Sequence, residues 1–116
     1  MKKGNLATLT ALLITLGSYA QTFEWAKSFG GNWHDLGRSI TVDDSGNVYT
    51  TGSFFGTVDF DPGAGTANLT SVGQIDIFIL KLDASGNFIW AKSFGGSSDD
   101  YGYSITVNLS VIHITQ

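Results

Sequence analysis

Residues 25–42 read WAKSFGGNWHDLGRSITV, and residues 90–107 read WAKSFGGSSDDYGYSITV. The two stretches lie 65 positions apart without a gap, and thirteen of their eighteen residues are identical. Recurrence at a fixed spacing is typical of repeat proteins, in which one unit cannot bury its own apolar faces and stacks on a neighbour. The sequence therefore predicts a stack of similar units.

The apolar residues of both copies follow a period of two, which is the period of a β-strand. We predict strands at residues 23–29, 39–42, 48–54, 76–82 and 88–94. Within 76–82, Phe78, Leu80 and Leu82 share one face while Ile77 and Ile79 share the other. Apolar residues on both faces indicate a sheet that is covered on its front and on its back.

Two short segments with one pattern connect predicted strands: DDSGN at residues 43–47 and DASGN at residues 83–87. An aspartate at the first position can accept bonds from nearby backbone N–H groups, and Gly46 and Gly86 can adopt the left-handed conformation of a bulged hairpin. A calcium loop is the functional alternative, but the twelve-residue ligand spacing of such loops is missing. We therefore predict two hairpin turns.

The longest non-repetitive connection runs over residues 56–73 and contains Asp59, Asp61 and Pro62. Asp59 and Asp61 could place two carboxylates on one side of an extended segment, which suits a hard cation such as calcium. An Asx turn ahead of the proline is the structural alternative. Calcium is thus the one ion to test, and the sequence predicts no other cofactor.

The N-terminus has the features of a secretory signal peptide. Lys2 and Lys3 precede an apolar run at residues 6–16, and the small residues Ser18 and Ala20 mark a cleavage site. The run is too short for a membrane-spanning helix, so an uncleaved anchor is the less favoured alternative. We expect a signal-peptide helix over residues 1–20 and a mature protein that is extracellular or on the cell surface.

The charge and cysteine content exclude several classes of protein. The chain has 6 basic and 10 acidic residues, and loss of Lys2 and Lys3 would leave four basic ones. Such an acidic chain is not expected to bind nucleic acid or an anionic membrane surface. It has no cysteine, which rules out disulfides and thiolate metal sites.

The residues give little support for catalysis, and we predict that the chain is not an enzyme. Its two histidines, His34 and His113, are predicted in a turn and in a divergent tail, and no serine lies in a nucleophile-elbow pattern. Trp25 and Trp90 could stack on sugars, but their alternation with phenylalanine favours a place in the core.

Three strings carry a resemblance to a known family: SITVDDSGNVYTTG at residues 39–52, GTVDFDPG at 56–63 and DIFILKLDASGNFIWAK at 76–92. They resemble the bacterial β-propeller repeat called SBBP, which occurs in secreted and surface proteins of Bacteroidetes-like bacteria. The resemblance implies blades of four antiparallel strands around an axis, and it implies no set of catalytic residues.

The fold class that follows is all-β: a fragment of an antiparallel β-propeller with one four-stranded blade and flanking strands. We expect a signal peptide at 1–20, the closing strand of a preceding blade within 21–38, a complete blade at 39–96, and the start of the next blade at 97–116. After Val107 the pattern diverges and lacks the turn glycine. A propeller needs about four to eight blades to close its ring, so we expect the chain to be a truncated piece of a longer protein.

Incomplete stacking predicts partners. We expect Phe78, Leu80, Trp90 and Phe94 to be exposed and to contact neighbouring blades or other copies of the chain. The first functional hypothesis is a non-catalytic secreted or cell-surface module that acts as a scaffold or binds a protein or glycan. The alternative is a non-catalytic part of a secreted hydrolase or lyase acting on polysaccharide, whose active site lies outside this chain.

Overall fold

A computed structural model describes residues 22–109 and 111–116. All regular secondary structure within these ranges is β-strand. The all-β prediction is confirmed for this part of the chain. The predicted signal-peptide helix, residues 1–20, lies outside the described residues. No helix within the described ranges has the length and apolar character needed to cross a membrane.

The main sheet contains four antiparallel strands in the order of the sequence. They are β1 (Asp35–Val42), β2 (Val48–Asp59), β3 (Asn68–Leu82) and β4 (Phe88–Phe94). β-Branched and aromatic residues dominate the buried parts of β2 and β3, as expected for strands packed on both sides. The predicted four-stranded unit therefore forms.

A second, two-stranded sheet follows, with β5 (Ser104–Asn108) antiparallel to β6 (Val111–Thr115). Both strands lie within residues 97–116, where the sequence predicts the start of the next blade. Their hairpin forms although the tail lacks the turn glycine, because Leu109 takes the left-handed conformation with φ of 54°. That conformation is unfavourable for a residue with a Cβ atom.

Each face of the main sheet is covered by a different part of the chain. The face that we name the first face carries Phe54, Phe78 and Leu80, and Trp25 and Phe29 from the N-terminal segment pack against it. The opposite, second face buries Tyr49 and Ile79 together with Ile105 of β5. The prediction of a sheet covered front and back is confirmed.

This covering corrects one expectation from the sequence. Phe78 and Leu80 are each only 1% exposed, and Trp90 is half-buried, so these side chains do not form open apolar faces. Phe94 is 45% exposed. The error came from assigning the covering layers to other molecules, whereas residues 22–29 and the β5–β6 hairpin supply them.

The strand predicted at residues 23–29 is not formed, and its neighbour Gly30 makes only a single bridge, to Asp59. A strand needs a partner for its backbone groups, and this segment lies on the first face rather than at a sheet edge. The Trp25 indole N–H donates to the Ala84 carbonyl at 2.9 Å. The Phe29 ring lies 5.6 Å from that of Phe78.

The long connection predicted at residues 56–73 is mostly strand. β2 and β3 continue through it with the pairs Thr57↔Thr70, Val58↔Leu69 and Asp59↔Asn68. The Thr57 and Thr70 hydroxyls are 2.8 Å apart. The prediction was wrong because the polar composition of the segment suggested a loop, whereas cross-strand pairing extends the hairpin.

Candidate functional site

The first Asp-x-Ser-Gly-Asn segment is a hairpin turn closed by its aspartate. The Asp43 carboxylate accepts hydrogen bonds from the backbone N–H groups of Ser45 and Asn47, both at 2.9 Å, and from the Tyr49 hydroxyl at 3.0 Å. Bonds from Asn47, its side chain first, lower the pKa of Asp43 because they favour the charged form. Gly46 has φ of 82°, so the predicted turn is confirmed.

The second turn repeats the arrangement. The Asp83 carboxylate accepts from the N–H groups of Ser85 and Asn87 at 2.9 Å each, and Gly86 has φ of 84°. The backbone bond from Asn87 is the main cause that lowers the pKa of Asp83. Both carboxylates therefore hold turns together.

The two calcium candidates lie in the turn between β2 and β3. Asp59 accepts from the N–H groups of Asp61 and Ala67, at 3.0 and 2.9 Å, and these bonds, the one from Ala67 first, lower the pKa of Asp59. Asp61 accepts from the Gly63 N–H at 2.7 Å. The described residues contain no group of three or more metal-ligating side chains. These contacts match the Asx-turn alternative.

The two copies share one further aspartate contact. The Gly31 N–H donates to Asp35 at 2.7 Å, and 65 positions later the Gly96 N–H donates to Asp100 at 2.8 Å. Both aspartates thus cap the turn after WAKSFGG. The aspartate shared by the two copies therefore closes an equivalent turn in each.

Asp76 is also a structural residue. It is 1% exposed and accepts the Val72 N–H at 2.9 Å. A Cβ atom on Gly95 would collide with the Asp76 carboxylate, so a glycine is required where β4 ends. This aspartate closes the bend in β3.

The histidines and tryptophans lie in separate places. His113 is exposed on β6, opposite Thr106, while His34 precedes β1. Trp25 packs against the first face, and the Trp90 ring lies 6.3 Å from that of Tyr49 on the second face. The structural interpretation of both tryptophans is confirmed.

The structure shows a cleft that the sequence did not single out, at the end of the main sheet where β1 begins. This rim cleft has a volume of about 200 Å³ and is lined by His34, Leu36, Arg38, Ser53, Ile75 and Tyr101. The Ser53 hydroxyl is buried and has no hydrogen-bond partner among the described residues. The rim cleft therefore combines apolar residues with polar residues from β1, β2 and the segments that precede β1 and β5.

Three contacts fix the wall of the rim cleft formed by the second copy. The Asp100 N–H donates to the Ile75 carbonyl at 2.7 Å, and Gly102 lies directly against Thr51 and Ile77. Tyr101 is held between these two anchored neighbours.

Arg38 also lines the rim cleft and lies at the bulge between Gly37 and Ser39. Its guanidinium carbon is 5.2 Å from the centre of the Tyr103 ring, which stacks with Tyr101 at 6.3 Å. A cation–π contact uses the flat face of the guanidinium and leaves the N–H edge available.

The rim cleft coincides with the positions at which the two copies differ. The five differences are Asn32/Ser97, Trp33/Ser98, His34/Asp99, Leu36/Tyr101 and Arg38/Tyr103. Four of the six lining residues, His34, Leu36, Arg38 and Tyr101, occupy such positions. Alignment of the two copies identifies these four residues as positions of difference. No short stretch of sequence indicates that Leu36 and Tyr101 line the same cleft.

Comparison with known proteins agrees with this geometry. The family model SBBP, described as a β-propeller repeat, matches residues 24–53. The uncharacterized WD repeat-containing protein L264 of Acanthamoeba polyphaga mimivirus is 29% identical over 98 aligned residues, which cover 72% of this chain. The chain spans only 7% of that protein's length. No solved structure matches the chain.

The matched segment covers the N-terminal segment, β1 and the first half of β2. Its strands belong to a four-stranded antiparallel sheet, which is consistent with a propeller blade. Residues 24–53 match the SBBP β-propeller repeat, the family that the string at residues 39–52 within them resembles.

Proposed function

We propose that this chain is a non-catalytic β-propeller repeat module of a secreted or cell-surface protein, and that it binds a protein or glycan through the rim at which two repeats meet. The matched family supports a propeller repeat, and the predicted signal peptide supports secretion.

One observation carries the proposal: residues shared by the two copies stabilise the fold, whereas several residues that differ between them line the rim cleft. Shared residues build the stack, since Asp35 and Asp100 close equivalent turns and the Ser39 hydroxyl accepts the Ile105 N–H at 3.3 Å between the sheets. The five differing positions hold ten residues, and four of these line the rim cleft. A module in which side chains differ beside equivalent turns is suited to recognition.

The aspartates give a second argument against catalysis. Asp43, Asp59 and Asp83 each accept two or more hydrogen bonds from turn N–H groups, and the pKa of each is lowered. A general acid needs the opposite shift, toward neutral pH. These carboxylates are therefore suited to fixing turns.

A rim swap tests the proposal. In this variant the first-copy residues take their second-copy identities, His34→Asp, Leu36→Tyr and Arg38→Tyr, and the full chain is applied to protein and glycan arrays beside the wild type. Ile89→Glu is the matched control, since Ile89 lies on β4, at the opposite edge of the main sheet, and the residue 65 positions before it is Glu24.

The proposal predicts that the wild type and the Ile89→Glu control bind the same partner and that the rim swap loses it. Melting curves should show that all three chains remain folded. Binding that survives the rim swap, or turnover of a polysaccharide by the purified chain, would contradict the proposal.

A further inference from the structure

The residues that line the rim cleft differ in charge from the rest of the chain. The chain has 10 acidic and 6 basic residues, and Arg38 is its single arginine. Arg38 and His34 both line the rim cleft, and none of the six described residues that line it is acidic. In an acidic protein, such a cleft is complementary to an anionic group.

Two carboxylates close to the rim cleft in the sequence do not cancel this charge. Asp35 pairs with Phe54 on the first face, so its side chain points away from that of Leu36, the next residue of β1, which lines the cleft. Asp99 is exposed, and its carboxylate accepts a hydrogen bond of 3.5 Å from the Tyr101 hydroxyl. Solvent and salt screen the charge of an exposed carboxylate.

Arg38 is held in a way that suits the binding of a carboxylate. Its guanidinium carbon lies 5.2 Å from the centre of the Tyr103 ring, and it forms no ion pair with a carboxylate of the described residues. A guanidinium that stacks through its flat face keeps the N–H donors at its edge. Two parallel donors match the two oxygens of a carboxylate.

The other lining residues are mostly apolar, and they limit the size of the ligand. Leu36 is 46% exposed, and Ile75 and Tyr101 line the cleft with it. The volume of about 200 Å³ lies below the roughly 300 to 1,000 Å³ of sites for drug-sized ligands. The rim cleft therefore suits one aliphatic side chain that lies next to an anionic group.

We propose that the rim cleft binds the C-terminal residue of a partner polypeptide, with its carboxylate on Arg38 and an aliphatic side chain against Leu36 and Tyr101. This names the partner of the module proposed above and rests on that function. A C-terminal residue carries both groups on one carbon atom, whereas an internal aspartate or glutamate has no apolar side chain beside its carboxylate. A uronic acid also has a carboxylate, but its ring hydroxyls would lie against the apolar residues without hydrogen-bond partners.

Titration of the full chain with the peptide acetyl-Ala-Ala-Leu tests the inference, with amide chemical shifts as the readout. We expect the free acid to shift the signals of Leu36 and Tyr101 in a saturable manner. The C-terminal amide of the same peptide should bind at least about tenfold more weakly, because it lacks the charged acceptor. Acetyl-Ala-Ala-Gly as the free acid should bind about tenfold more weakly, because it lacks the aliphatic side chain.

Variants of the protein test the same contact from the other side. Arg38→Gln should weaken binding of the free acid by about tenfold or more, and Arg38→Lys should give a smaller loss, because lysine keeps the charge without the two parallel donors. Lys92→Gln is the matched control. It removes one exposed positive charge from β4, at the opposite edge of the main sheet, and should leave binding unchanged. Melting curves should show that all three variants remain folded.

Three results would overturn the inference while the module remains. The first is equal binding of the free acid and the amide, and the second is saturable binding of methyl glucuronide alone, which would indicate an acidic glycan. The third is no shift with either free acid up to its solubility limit, although the rim swap still abolishes binding of an array partner. If the arrays show no partner either, the module itself fails and the inference with it.

Discussion

The sequence WAKSFGG occurs twice in this protein and takes two structures. In the second copy, residues 90–94 lie in β4 and pair with β3 from Ile77↔Phe94 onward. In the first copy, residues 25–29 are in no strand and lie across the first face, where Trp25 donates to Ala84. The segment buries apolar side chains in both copies. Whether it does so as a strand depends on whether another strand is available to pair with it.

The second halves of the copies differ in what contacts them. Gly102 lies against Thr51 and Ile77, where β5 and the preceding segment cover the second face. Its counterpart Gly37 has nothing within 4 Å of a built Cβ atom. The same residue is therefore packed in one copy and free in the other, which makes paired substitutions informative.

The largest effect is expected at the phenylalanines that end the shared segment. Phe29 packs between the rings of Phe60 and Phe78, at 5.5 and 5.6 Å, whereas Phe94 is 45% exposed. We expect Phe29→Ala to lower the free energy of unfolding by about 2 to 4 kcal/mol and Phe94→Ala by about 1 kcal/mol. Urea denaturation of both variants measures this. Equal losses would contradict the described packing of the first copy.

The glycine pair should give the next largest effect. A methyl group at position 102 would meet the Thr51 hydroxyl and the Ile77 side chain at 2.8 Å. We therefore expect Gly102→Ala to cost about 1 to 3 kcal/mol through overpacking, and Gly37→Ala to have little effect. The same denaturation experiment compares them, and a harmless Gly102→Ala would show that the second copy does not lie on this face.

The turns that follow the copies offer a smaller contrast. The first copy has Gly46 at φ of 82°, while Leu109 takes φ of 54° after the second. Leu109→Gly should raise stability by about 0.5 to 1 kcal/mol by removing backbone strain. Leu109→Ala is the control, because Leu109 is 90% exposed and alanine keeps the strain. A destabilising Leu109→Gly would be inconsistent with this turn.

The smallest effect is expected for the loss of stability at acid pH, compared between wild type and variants of the first turn. The turn carboxylates are exposed, so solvent and salt screen their interactions. The folded-state pKa of Asp43 lies below 3.8, mainly through bonds from Asn47. Its stabilisation is therefore present above the unfolded pKa and is lost as the pH falls from about 5 through the lowered folded value. Melting temperatures from neutral to acid pH should fall less for Asp43→Asn than for wild type, with the exposed neighbour Asp44→Asn unchanged. Parallel curves for all three would refute this role.

Local patterns predicted local structure well. The Asp-x-Ser-Gly-Asn turns depend on bonds within five residues, and both formed as predicted with positive φ at Gly46 and Gly86. Alternation in residues 76–82 gave the correct two faces, because side-chain direction follows directly from the period of a strand. These features need no knowledge of distant parts of the chain.

The errors arose where distant residues decide the outcome. Residues 23–29 can pair as a strand only beside a free edge of the sheet, and otherwise they pack on its face. The extension of β2 depends on the pairing of Thr57 with Thr70. The rim cleft joins Leu36 to Tyr101 across 65 positions, so no window of sequence contains it. The comparison of the two copies identifies four of its lining residues, because they occupy positions at which the copies differ.

The central claim is that the second copy stacks on the second face of the sheet begun by the first. The most direct measurement is the set of nuclear Overhauser contacts from the Ile105 methyl groups, which the structure buries beside Tyr49 and Ile79. We predict strong contacts to the Tyr49 ring and the Ile79 methyl groups in the full chain. Contacts confined to the β5–β6 hairpin, with none to β2 or β3, would contradict the claim.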